Sequence, residues 1–180
     1  MRLRRFIAAG FGCAALLMPA AVWAQSLEYA VKAAYLTKFI PFIQWPDTAF
    51  TSPTAPVTIC LLGGDPFGAS LDKAAGGAKP VDRPITVRHM DQPDPAAPCQ
   101  LLFIGSGDPA TIASALEAMK GRAVVTVTDM DAAPRGMISF VVSGNRVRFD
   151  IDDSQAAQSG LSISSKLLSL ARSVKQRSAQ

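Results

Sequence analysis

Two short apolar runs in this chain end at glycine and pass directly into an Asp-Pro dipeptide. Val57–Leu62 leads to Gly63, Gly64, Asp65 and Pro66; Leu101–Ile104 leads to Gly105, Ser106, Gly107, Asp108 and Pro109. Aspartate accepts hydrogen bonds from the unpaired N–H groups of a helix's first turn. Proline suits the first helical position, where its missing N–H is not needed. Each unit therefore predicts a strand, a glycine turn and a helix, with Asp65 and Asp108 as caps. The first helix is brief and ends at Gly76-Gly77; the second carries Ile112, Ala115, Leu116 and Met119 on one face and stops at Gly121. Pro84–Val87 and Ala123–Thr128 add further strands, and Met137–Val142 and Arg146–Ile151 flank Ser143-Gly144-Asn145 as a hairpin. In its second arm Val147, Phe149 and Ile151 alternate with Arg146, Arg148 and Asp150, the pattern of a strand near a sheet edge with one wet face. Strands alternating with helices predict an α/β fold: a single-domain, three-layer, Rossmann-like sandwich with a mainly parallel sheet and a late antiparallel hairpin.

The flanking segments are helical by pattern. A first helix opens at Ser26-Leu27-Glu28, with Leu27, Val31, Ala34, Tyr35 and Phe39 as its apolar stripe and Lys32 and Lys38 off it. Pro41 kinks or ends it, and Trp45-Pro46-Asp47 turns the chain. Asp152 or Asp153 caps a short helix ending at Gly160. Ser162–Ser165 then leads into a last helix with Leu167, Leu168, Leu170, Ala171 and Val174 apolar.

The N-terminus has the three parts of a secretory signal peptide: basic Met1–Arg5, uncharged Phe6–Val22, and small residues at Val22 and Ala24 before a cut. Residues 1–24 are expected to be removed, leaving residues 25–180 as one domain. A retained anchor fits less well, because the apolar stretch is short and ends in a usable cleavage site. Arg4-Arg5 lacks the wider twin-arginine motif, and Cys13 has no lipobox around it. The leader holds 3 of the 18 basic residues, so the remainder has 15 against 14 acidic ones and a formal charge of +1. So balanced a chain does not carry the basic face of a nucleic-acid binder.

Two cysteines remain after the leader, Cys60 and Cys99. An even count in an oxidising compartment reads first as one structural disulfide. Buried free thiols and a redox-active pair are the alternatives, the latter without the Cys-x-x-Cys spacing that lowers a thiol pKa.

Gly105–Ala110 fits Gly-x-Gly-x-x-Ala, and Asp129 follows the next strand, as in a dinucleotide fingerprint. Pro109 removes an N–H that would cradle phosphate, so turn and cap chemistry is the preferred reading. His89 is the only histidine, and no Gly-x-Ser-x-Gly elbow is present. Ser162, Ser164, Ser165 and Lys166 miss Ser-x-x-Lys spacing because position 163 is Ile. Glu28 and Glu117 are the only glutamates, and Asp150-Ile151-Asp152-Asp153 reads as capping before cation binding. No catalytic residue, cofactor or metal site is expected.

Several segments in order carry a resemblance: Glu28–Leu36 leading to Phe42-Ile43-Gln44-Trp45-Pro46, Ile59–Gly63 with Asp65–Gly68, Leu102–Gly105, Thr126–Asp129, Gly144–Phe149 and Gly160–Leu168. The chain resembles the YfiR family of exported regulators from Glu28 to about Arg172. The resemblance implies a periplasmic protein that binds the periplasmic sensor domain of an inner-membrane diguanylate cyclase of the YfiN type. Binding holds the cyclase inactive, lowering cyclic di-GMP and restraining biofilm formation. It also implies sequestration by an outer-membrane lipoprotein, homodimers, and a family disulfide at the position of Cys60 and Cys99. A periplasmic small-ligand binder is the alternative, with Gly63–Gly68 and Gly105–Asp108 lining its site. The candidate partner surface is the hairpin edge with Arg146 and Arg148, together with Asp152–Gly160. Phe39, Phe42 and Trp45 form a second candidate, with core packing the commoner use of such residues.

Overall fold

The computed structural model describes residues 20–78, 83–105, 107–129, 134–144 and 146–177. Most of the expected leader, the middle of the 105–107 turn and Asn145 of the hairpin turn lie outside them. A central sheet is built from β2 (Val57–Leu62), β3 (Ile85–Met90), β4 (Leu101–Ile104), β5 (Val125–Thr128), β6 (Ile138–Ser143), β7 (Arg146–Asp152) and β9 (Ser173–Lys175). Its order is β3-β2-β4-β5-β6-β7-β9, and β1 (Ile43–Gln44) pairs separately with β8 (Ser162–Ile163). β3 through β6 are parallel; β6 and β7 form the antiparallel hairpin, with Phe140 opposite Phe149.

The period of two along each strand creates two cores. Ile59, Leu61, Leu101 and Phe103 face α1 (Ala20–Phe39), meeting Ala33, Leu36 and Phe39, while Leu71 of α2 (Ala69–Gly77) joins the same cluster. Cys60, Leu62, Leu102 and Ile104 face the other way, onto Ile112, Ala115 and Met119 around α3 (Pro109–Ala118). Helices cover both sides, as expected of a Rossmann-like sandwich. After β2 the chain winds through α2 to β3; after β4 it winds through α3 to β5 on the other flank. Opposite directions on opposite faces keep both crossovers right-handed. They also put the switch point of the sheet between the carboxyl ends of β2 and β4.

Several boundaries follow the sequence signals. Asp108 caps α3, its carboxylate accepting from the backbone N–H of Ala110 and Thr111 and from the Thr111 hydroxyl. Asp152 caps α4 (Asp153–Gln158), Ser164 caps α5 (Ser165–Leu170), and Gly160 takes φ +70° at the turn between them.

Other boundaries are corrected. Asp65 does not cap α2: it accepts from Phe67 and Gly68 N–H in a local turn, and the helix begins only at Ala69, because Gly68 holds φ +50°. α1 is already helical at Ala20 and ends before Pro41, which forms a 3-10 turn at Ile40–Phe42. The last helix stops at Leu170, and Val174, expected on its apolar face, sits in β9. β9 runs parallel to β7 with Asp150 beside Ser173. The apolar stripe assigned to α1 is rotated. Leu27 is 68% and Val31 38% exposed, whereas Lys32 is 2% exposed.

Candidate partner-binding surface

Tyr29 and Phe67 stand at the place where open α/β sheets hold ligands. At the ends of β2 and β4, Tyr29, Gly64, Asp65, Pro66 and Gly105 line a space of about 240 Å³. Tyr29 meets Phe67 edge-on at 5.6 Å, and Phe67 meets Phe103 at 4.7 Å. The space is smaller than the several hundred Å³ typical of a small-molecule site. The hydrogen bonds from Thr111 hold the Asp108 carboxyl below its ordinary range, so the 105–110 motif works as a turn and cap. Asp129, the residue that would hold a ribose, is instead ion-paired with Lys32. The described parts of the loops at Gly63–Gly68 and Gly105–Asp108 border this space.

Lys32 was not legible as a buried residue. Its ammonium reaches Asp129 at the end of β5 and Glu28 one turn back on α1, and lies 4.7 Å from the centre of the Tyr29 ring. The Tyr29 phenol is pushed above its ordinary range, first by burial, then by its hydrogen bond to Asp129 and by the charges of Asp129 and Glu28. The Glu28–Lys32 spacing of four was a visible hint, but Asp129 lies 97 positions away. The cluster fastens α1 across the carboxyl end of the sheet.

The disulfide joins Cys60, in the middle of β2, to Cys99 just before β4, with Cα atoms 5.9 Å apart. Cys60 is fully buried and Cys99 nearly so, and Met90 Sδ lies 3.6 Å from Cys99 Sγ. These sulfurs sit beneath α3 among apolar side chains, in no position to meet a dissolved thiol.

The residues singled out on the hairpin have separate environments. Arg146 and Arg148 are exposed on β7, opposite Ser143 and Val141, and make no ion pair among the described residues. Asp152, two positions beyond Asp150 on the same strand face, is occupied. It accepts from Gln155 N–H, the Ser154 hydroxyl, the Gln155 amide and Lys175. Asp150 is held by Arg172 and Arg135, and Asp153 by both nitrogens of the Arg177 fork. The Asp150–Asp153 run is therefore held by the chain's own cations: Arg135 and those of the C-terminal segment. Arg172 holds the Asp150 carboxyl below its ordinary range. For Asp152 burial acts upward, but its hydrogen bonds and Lys175 outweigh it and the carboxyl is lowered.

Of the aromatic candidates, Phe39 is buried, stacked on Phe140 and edge-on to Phe149. Phe42 and Trp45 are half-buried against the same core; Trp45 Nε1 donates to the Gln100 carbonyl at 3.1 Å. Trp45 also forms part of a surface that sequence reasoning missed. Between α1 and α2, at the amino ends of β2 and β3, lies a groove of about 940 Å³. Ala30 and Ala34 line one wall, Ala74 the other, with Ile43, Trp45 and Ile85 among the floor residues. Arg83 stacks 3.8 Å over Phe50 and donates to the carbonyls of Ser52 and Ala55 at one end.

The sequence model of the YfiR/HmsC-like family matches residues 29–172. The matched span runs from Tyr29, over the sheet switch point, through every strand except β9. The chain belongs to the YfiR/HmsC-like family. No curated protein matches it.

Proposed function

We propose that this YfiR/HmsC-like protein is exported to the periplasm, loses residues 1–24, and there represses an inner-membrane diguanylate cyclase by binding its periplasmic sensor domain. The observation that carries the reading is the family match over residues 29–172, which spans nearly the whole described fold. A buried disulfide suits an oxidising compartment. No helix among the described residues is long and apolar enough to cross a membrane. Family membership points to a regulator rather than an enzyme.

Repression by binding is a population shift. The regulator favours the inactive conformation of the sensor, and moving the cyclase from mostly on to mostly off requires about 5 kcal/mol of differential affinity. Exposed Arg146 and Arg148, at the hairpin-turn end of β7 whose other end is Asp152, are proposed to contact the partner and set its electrostatic orientation. An outer-membrane lipoprotein that sequesters the regulator would relieve repression by competition, and a homodimer would present two such surfaces. For the small-ligand alternative, the described residues leave a space of about 240 Å³ at the crevice between β2 and β4, beside the Tyr29–Phe67 ring pair.

Deleting the gene tests the reading. Cyclic di-GMP should rise in a strain that encodes the cyclase and stay unchanged when the cyclase is deleted as well. Unchanged levels in the cyclase-positive strain would refute it.

A further inference from the structure

The groove between α1 and α2 does not end where its walls end. Leu27, Val31, Ala34 and Lys38 recur at helical spacing, so the wall formed by Ala30 and Ala34 continues along α1 into the exposed side chains of Leu27 and Val31. From Leu27 to Lys38 this stripe is about 16 Å long at the helical rise. Two large aliphatic residues exposed on a helix next to an open apolar groove form a continuous patch of the kind that marks interaction sites.

The charged residues among its described lining are basic: Lys38 and Lys73 flank the groove from α1 and α2, and Arg83 stands at its end. Arg83 is already committed to the Ser52 and Ala55 carbonyls and to the Phe50 ring. Lys38 and Lys73 are both exposed and have no hydrogen-bond or ion-pair partner among the described residues. Lys32, Lys120, Arg135, Arg172, Lys175 and Arg177 reach carboxylates, whereas Arg88, Arg122, Arg146, Arg148 and Lys166, like Lys38 and Lys73, make no ion pair among the described residues.

We infer that this groove is a docking site for an amphipathic helix of the protein partner, one that carries aspartate or glutamate beside its apolar face. A trough between two helices accepts the ridge of a third, with apolar anchors spaced three and four residues apart. The length of the stripe matches about three helical turns, and Leu27 and Val31 extend it past the reach of a compact small molecule. Lys38 and Lys73 then pair with the partner's acidic residues across the rim, which fixes direction and speeds encounter. This surface lies apart from the β6–β7 hairpin and rests on the reading that the partner is a cyclase sensor domain.

The test uses the oxidised protein from Gln25 onward and the sensor domain of the proposed cyclase. Two double variants address the two halves of the patch: Leu27→Glu with Val31→Glu, and Lys38→Glu with Lys73→Glu. All four positions are on the surface, and circular dichroism verifies folding. Each pair should weaken capture of the sensor by about tenfold or more. A photocrosslinker at position 31 should attach to an amphipathic, acidic helix of the sensor. Wild-type capture with both variants at wild-type affinity would overturn the groove and leave the repressor reading standing. No capture by the wild-type protein would remove both. Variants that alter only self-association, or only binding to vesicles of anionic phospholipid, would assign the patch to a second copy or a membrane and overturn the proposal.

Discussion

Lys32 on α1 and Asp129 at the end of β5 form a buried ion pair that links the first helix to the carboxyl end of the central sheet. Their side chains are 3% and 6% exposed. Glu28 and the Tyr29 ring also face the ammonium, so one cation serves a buried carboxylate, Asp129, and a partly exposed one, Glu28. Breaking such a pair strands a charge and costs more than the pair's net worth. Lys32→Ala should therefore lower unfolding free energy by about 3–5 kcal/mol, read from urea denaturation. Replacing both members, Lys32→Met with Asp129→Leu, should recover part of that loss. A loss below ~1 kcal/mol for Lys32→Ala would mean that water reaches the site.

The Cys60–Cys99 bridge closes a separation of 39 residues. Replacing both cysteines with serine should cost roughly 2–4 kcal/mol, by freeing the unfolded chain and placing hydroxyls among apolar side chains. Because both sulfurs are buried, thiol reductant should open the bridge slowly in buffer and rapidly in denaturant. Thiol trapping followed by mass spectrometry distinguishes the two regimes, and equal rates would show that the bridge is accessible in the folded state.

Acid should weaken the hold on the C-terminal segment. Asp150 and Asp152 both have carboxyl pKa values lowered in the folded state, by the Arg172 fork for Asp150 and, against burial, by Ser154, Gln155 and Lys175 for Asp152. A lowered folded value means that the unfolded chain binds protons first as pH falls. The stabilisation is complete above the unfolded carboxylate range near pH ~4 and is lost below it, as pH passes through the folded values. The urea midpoint should accordingly decline below about pH 4, and Asp150→Asn should make that decline shallower. An unchanged pH profile in Asp150→Asn would show that this pair does not contribute to it.

Gly136 is held by close approach, since a Cβ there would lie 2.7 Å from the Thr126 carbonyl oxygen. The Thr128 hydroxyl accepts from Gly136 N–H and the Thr126 hydroxyl from Met137 N–H, which fixes the entry to β6. Gly136→Ala should cost about 1–3 kcal/mol by overpacking, measurable as a lower melting temperature. A neutral effect would mean that β5 and β6 can separate locally without penalty.

Local rules located much of this fold. β2 and β4 fall on the predicted residues, Asp108 and Asp152 cap as expected, and the β6–β7 hairpin is antiparallel. The failures involve partners distant in sequence. α1 has apolar residues on several sides, so periodicity alone did not decide which side faced the sheet. The ion pair to Asp129 turned Lys32 inward and left Leu27 and Val31 outside. Arg172–Arg177 has no strand pattern of its own; Asp150, Asp152 and Asp153 hold it along β7 through Arg172, Lys175 and Arg177. Of the surface candidates, Arg146 and Arg148 were readable as exposed from alternation. The groove was not, because it exists only where α1, α2 and the turn at Trp45 converge.

The proposed action of this protein is to bind a cyclase sensor domain. Titration calorimetry of the oxidised protein from Gln25 onward against that domain decides it. Saturable binding with a dissociation constant at or below about 1 μM, together with reduced activity of the full-length cyclase in membranes, is the predicted result. No heat of binding and unaltered cyclase activity at saturating regulator would contradict it.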